Sequence, residues 1–178
     1  MNMPRPFPVL AMTLLAAPLS GQSLPDRSGD STIVAPTYAI VRIIYDSSAK
    51  PAFSFTAGNV LDIAGANATE IQAMRLHGEV ARVIAGTWGG AGKYGVEFYF
   101  KGDSLIFTYE SFEFVAEAAP PGQWVNFRRL PAWERRVFWR DRTAVFVESS
   151  GCPARMDPGE AARLLRTAQS VRQMMATR

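Results

Sequence analysis

One pattern occurs twice in this chain and limits its fold more than any other feature. Glu97-Phe98-Tyr99-Phe100-Lys101, the pair Gly102-Asp103 and Ser104-Leu105-Ile106-Phe107 recur thirty-nine residues later as Arg136-Val137-Phe138-Trp139-Arg140, Asp141-Arg142 and Thr143-Ala144-Val145-Phe146. Aromatic and β-branched residues suit a pleated, half-buried surface, and a Gly-Asp or Asp-Arg pair suits a reversal, so each copy reads as a β-hairpin. Two copies are too few for a propeller or a solenoid, and two similar hairpins in one sheet is the simpler account.

The neighbouring segments extend that sheet. Thr69 to Leu76, the turn His77-Gly78 and Glu79 to Trp88 form a third candidate hairpin in which glycine supplies the positive φ of the turn. The glycine-rich link Gly89 to Gly92 leads directly into the first repeat, so short links join four strands as an antiparallel meander. Gln123 to Leu130 suits a short strand or a loop. After the second repeat, Asp157 suits an N-cap, Pro158 the first helical position and Glu160 the reciprocal member of a capping box. Leu164, Leu165, Ala168, Val171 and Met175 make one apolar stripe on that helix, which should cover one sheet face. Thr37 to Ser48 has Ile40, Ile43 and Ile44 at helical spacing, with Pro36 in the first turn. Lys50 to Ala68 is too punctuated by glycine and asparagine to assign. The fold expected is α+β: a mainly antiparallel meander of about six strands, a C-terminal helix on one face and an N-terminal helix.

The N-terminus reads as an export signal. Val9 to Leu19 is an uncharged apolar run of eleven residues behind Arg5. A helix of that length rises only about half of a ~30 Å hydrocarbon core, which suits a secretory leader and not a transmembrane segment. Small residues at Gly21 and Ser23 place cleavage between Gly21 and Leu24. Residues 1–23 are thus expected to be a signal peptide, residues 24–36 a flexible linker, and residues 37–178 a single α+β domain, periplasmic or secreted. Gln22 stands where a lipoprotein box needs cysteine. The lone Cys152 has no partner for an internal disulfide, so the fold must hold without one.

Chemistry is harder to find. The only histidine is His77, in a turn, which leaves Cys152 without a convincing catalytic partner. No metal-ligand spacing, Gly-x-Ser-x-Gly elbow or phosphate loop is present, so no cofactor or metal is expected. A carboxylate pair, Glu97 and Glu110, could face one another across the first hairpin as glycoside hydrolysis requires. The net charge of +3 gives no broad field for nucleic acid. A local excess exists, however: Arg128, Arg129, Arg135, Arg136, Arg140 and Arg142 are offset only by Glu134 and Asp141.

The order from Arg82 through the glycine-rich link into Glu97–Phe107, and on through Glu134 to Val147, resembles uncharacterised secreted bacterial proteins with a Tyr-Phe strand, an Asp-Gly-like turn and a Leu-Ile-Phe return. The resemblance covers about the second half of the mature chain and implies a hairpin, not an activity. The function expected from the residues is therefore non-catalytic binding of an envelope protein or an anionic envelope polymer through an open sheet face. Tyr99, Tyr109, Trp133, Arg135, Arg136, Trp139 and Arg140 are the candidate partner-binding side chains, because aromatic residues flanked by arginine concentrate at interfaces. Two alternatives stand beside it: an inhibitor of an extracellular hydrolase, using Gly89 to Lys93 or Ala119 to Gln123 as a protruding loop, and a carboxylate-dependent envelope hydrolase.

Overall fold

A computed structural model describes residues 31–47, 51–89, 92–114, 130–151 and 156–176. Two helices, α1 (Ser31–Ser47) and α2 (Pro158–Ala176), flank seven strands: β1 (Phe53–Ala57), β2 (Thr69–Leu76), β3 (Glu79–Gly89), β4 (Gly92–Lys101), β5 (Ser104–Phe114), β6 (Leu130–Arg140) and β7 (Thr143–Ser150). The strands form one antiparallel sheet in the order β1-β2-β3-β4-β5-β6-β7. The α+β class and the meander agree with expectation. The strand the sequence left unassigned is β1, whose five residues alternate half-buried Phe53, Phe55 and Ala57 with exposed Ser54 and Thr56.

The repeat is threefold in its geometry. Two-residue turns at His77-Gly78, Gly102-Asp103 and Asp141-Arg142 join β2 to β3, β4 to β5 and β6 to β7. In each returning strand the third residue, Ala81, Ile106 or Val145, is skipped by the pairing as a bulge. An extra residue at that place sharpens the right-handed twist of every hairpin at the same height. Both residues of the turns His77-Gly78 and Asp141-Arg142 have positive φ, whereas Gly102 carries it alone in the middle turn. That pattern is what two-residue hairpins require for their strands to match in twist.

Alternation sends neighbouring side chains of each strand to opposite faces of the sheet, and, against the open face expected from the sequence, neither face is left open. Phe98, Phe100, Val137 and Trp139 join the core under α2, with Leu164, Ala168, Val171 and Met175 of the helix. Tyr99, Phe107 and Phe138 point the other way, where Val41 and Ile44 of α1 meet them. A continuous aromatic row crosses that face, with ring centroids 5.6 Å apart for Tyr99–Phe107, 5.1 Å for Phe107–Phe138 and 5.6 Å for Phe138–Phe146. Tyr38 of α1 closes on it, edge-on to Phe138 at 5.2 Å. Burial on both sides explains why β3 is buried from Val80 to Thr87 and does not alternate.

Two local expectations change. The helix α1 begins at Ser31, inside the stretch assigned to a linker, and Pro36 sits within its body. Pro36 forfeits one helical hydrogen bond, while Ile33 on the preceding turn joins the apolar cluster beneath. At α2 the Asp157 carboxylate does accept from the Glu160 amide at 2.8 Å. The Glu160 side chain, however, accepts from Arg135 and so completes an interaction with the sheet. The leader at 1–23, residues 24–30 of the linker, Cys152, Arg128, Arg129 and the segment 123–129 lie outside the described residues.

Candidate functional site

Among the described residues, a groove of about 840 Å³ lies where the three turns meet the second half of α2. The repeated hairpin geometry builds it. Turns of equal length end side by side, so Gly78, Asp103, Asp141 and Arg142 form its outer rim. The last inward residues before and after those turns, Val80, Phe100 and Leu105, line it with Leu165, Ala168 and Met175 of α2. Arg172 joins helix to turn: its guanidinium lies 5.4 Å from the centroid of the Phe100 ring and donates to Asp103 at 2.5 Å. Arg75 donates to the Gly78 carbonyl at 2.9 Å and covers the Phe53 ring at 5.7 Å. Three cations (Arg75, Arg142, Arg172) and three anions (Glu79, Asp103, Asp141) line the groove, so its charge is balanced over an apolar floor.

The side chains singled out from the sequence are not brought to one face. Tyr99, Tyr109 and Arg136 lie on the α1 side, while Trp133, Arg135 and Trp139 lie on the α2 side. Tyr99, Trp139 and Arg135 are buried, and Arg140 is exposed beside the third turn. The groove draws instead on Arg75, Asp103, Arg142 and Arg172. Their only sequence signal is that each sits in, or within two residues of, a two-residue turn, or on the flank of the last helix. That α2 crosses above those turns is not written in any local pattern.

The charged residues of the two faces are joined into networks. On the α2 side Glu110 is fully buried and accepts from Tyr94 and from Arg135, whose Nε lies at 2.7 Å. Arg135 also donates to Glu160 at 2.7 Å, and Arg163 approaches Glu110 at 3.7 Å. Burial alone would lower the Arg135 pKa, but Glu160 and Glu110 hold it above its ordinary value. On the α1 side Arg82 donates twice to Glu97, at 3.0 and 2.7 Å, and stacks 4.7 Å from the centroid of Tyr45. Tyr99 donates to the same Glu97 oxygen, Tyr109 to Glu134 and Tyr38 to Glu148. Burial first, and the adjoining carboxylates next, raise the pKa of Tyr38, Tyr94 and Tyr99. Burial and the hydrogen bond to Glu134 do the same for Tyr109.

These networks bear on the hydrolase alternative. In the register, Glu97 lies opposite Tyr109 and Glu110 opposite Val96, so the two carboxylates emerge on opposite faces of the sheet and form no pair. Of the loops considered for an inhibitor, Gly89 to Lys93 has Gly89 paired with Gly92 and residues 90–91 outside the described residues, and Ala119 to Gln123 lies outside them as well. Among the described residues no group of three His, Cys, Asp or Glu side chains could hold a metal ion, and no helix is long and apolar enough to cross a membrane. Comparison with protein-family models, curated proteins and solved structures finds no match.

Proposed function

We propose that this chain is an exported, non-catalytic binding domain that recognises an extended segment of an envelope protein in the groove between α2 and the three hairpin turns. The observation that carries this reading is the groove's make-up: an apolar floor of Val80, Phe100, Leu105 and Met175 under a rim of balanced charge. Concave, mainly apolar sites with a few oriented polar groups are the usual form of a binding site. The balance of charge favours a protein segment over an anionic polymer, which would need an unbroken excess of cations. Export rests on the leader, an uncharged run from Val9 to Leu19 behind Arg5 with small residues at Gly21 and Ser23.

A photo-crosslinking residue at Gln169 or Gln173, which line the groove, tests the reading on the full chain expressed with its leader. One envelope protein should crosslink from these positions and not from Ile43, an exposed residue of α1 on the other side of the sheet. Leu165→Arg, which fills the groove with a charge, should abolish the crosslink while circular dichroism stays unchanged. A crosslink indifferent to Leu165→Arg, or none at all, overturns the assignment. Mass spectrometry of the same preparation should find the mature chain starting between residues 22 and 24.

A further inference from the structure

The stripe of α2 that faces the groove mixes two kinds of side chain. Leu165, Ala168 and Met175 extend the apolar floor, and Arg172 is taken up by Asp103 and the Phe100 ring. Gln169 and Gln173 line the same groove, yet both are exposed, and among the described residues neither side chain takes part in a hydrogen bond or ion pair. Two neutral amides therefore stand at the mouth of an apolar groove with their donors and acceptors unused within the chain. Each offers an acceptor oxygen and two N–H donors, so it can pair at once with the N–H and the C=O of a single residue of another chain.

Their spacing selects the conformation of that other chain. Residues i and i+4 lie on one face of a helix, about 6 Å apart along its axis. Along an extended segment, residues i and i+2 present their N–H and C=O groups to the same side and recur at about 6.7 Å. Over a single step the two repeats agree to within roughly a tenth. A helical occupant has its main-chain groups bonded internally and would leave both amides unpaired. The same alternation turns every second side chain of an extended segment toward Val80, Phe100 and Leu105.

Charge narrows the occupant further. Beside each of the three turns the groove carries one cation and one anion: Arg75 with Glu79, Arg172 with Asp103, and Arg142 with Asp141. A charged side chain on the segment would meet both signs at every turn and gain from neither, whereas an uncharged one is accepted along the whole rim.

We propose that Gln169 and Gln173 clamp the main chain of the bound segment at alternate residues, and that this segment is uncharged with an apolar side chain at every second position. Main-chain pairing of this kind selects extended conformation and apolar alternation in place of one fixed sequence. The clamp presupposes that the groove is the binding site.

The probe is a capped, fluorescently labelled Thr-Leu-Thr-Leu-Thr peptide titrated into the full chain, with anisotropy as readout. It should bind with a Kd below about 1 mM, and Gln169→Ala and Gln173→Ala should each weaken it about five- to tenfold. Alanine at an exposed helix position keeps the fold, which circular dichroism checks. Methylating the peptide nitrogens of the threonines or of the leucines should weaken binding in one of these two phases, and that loss should vanish in the double variant Gln169→Ala/Gln173→Ala. Copies with lysine or glutamate in place of threonine should bind no more tightly than the parent. No binding at about 1 mM, affinity indifferent to both glutamines, a methylation effect that persists in the double variant, or a charged copy that binds more tightly would each overturn the proposal. In the crosslinking experiment, a photo-reactive residue at Gln169 should lose most of its yield with Gln173→Ala. A crosslink insensitive to that change keeps the groove as the site and removes the clamp, whereas peptide binding that follows the glutamines without any envelope crosslink keeps the clamp and removes the envelope partner.

Discussion

Glu110 lies directly across the β5–β6 ladder from Arg135, and the fully buried carboxylate accepts from the guanidinium Nε at 2.7 Å. Both groups are removed from water, so each is costly without the other. Glu110→Ala should destabilise the fold by about 3–5 kcal/mol because Arg135 loses its buried counter-ion. The double change Glu110→Met with Arg135→Met should cost less than the single one, since the two most deeply buried charges leave together and only the more exposed Glu160 and Arg163 lose a partner. Urea unfolding midpoints of the three proteins check this ordering. A double variant less stable than Glu110→Ala would mean that the pair is not coupled.

The third turn carries a larger conformational cost than the other two. Asp141 and Arg142 have φ values of 48° and 67°, whereas each of the other turns places at least one glycine at a positive φ. A side chain at Arg142 therefore sits where glycine is preferred, and Arg142→Gly should stabilise the protein by about 1 kcal/mol. Thermal unfolding should show a rise in Tm. Arg142 also lines the groove, so the same substitution should weaken crosslinking there while strengthening the fold.

Gly92 requires its missing side chain for a different reason, a close approach by a neighbouring strand. A Cβ at this position would fall on the carbonyl of Glu113 in β5, a main-chain atom that cannot move aside cheaply. Gly92→Ala should cost about 1–3 kcal/mol through overpacking. Gly86, where the nearest atom to an added Cβ is 3.8 Å away, should accept alanine with a much smaller loss in the same unfolding assay.

Four tyrosines have pKa values raised above the ordinary 10 by burial and by neighbouring carboxylates: Tyr38, Tyr94, Tyr99 and Tyr109. Above pH 10 the unfolded chain releases these protons while the native chain keeps them, so the native state binds more protons and stability falls as pH rises. Their contribution is complete below pH 10 and is lost progressively above it. Tyrosinate absorbance at 295 nm and pH 11 should accordingly be much lower for the native protein than for the protein in urea. Equal absorbance would show that these phenols are not buried beside carboxylates.

The main features of the fold were legible because they rest on local signals. Period-two alternation, two-residue turns and the Asp157-Pro158 helix start each report on residues a few positions apart. The candidate site was not legible to the same degree. Tyr99 and Trp139 have the composition of an interface, yet they are buried under α1 and α2 respectively. An aromatic residue on a strand looks the same in sequence whether solvent or a helix lies above it. The five-residue β1 was hidden for another reason, since a strand that short has too few alternations to stand out from a loop.

Strand alternation, the three tight turns and the cap of α2 were determined by the sequence on its own, because each follows from the backbone preferences of neighbouring residues. Only tertiary structure decided that both sheet faces are covered, that Glu97 and Glu110 part company across the sheet, and that α2 reaches the hairpin ends to form a groove. Those outcomes depend on how two helices more than a hundred residues apart dock on one twisted sheet. Burial of apolar area drives that docking, and the driving force depends on total contact and not on the order of residues along the chain.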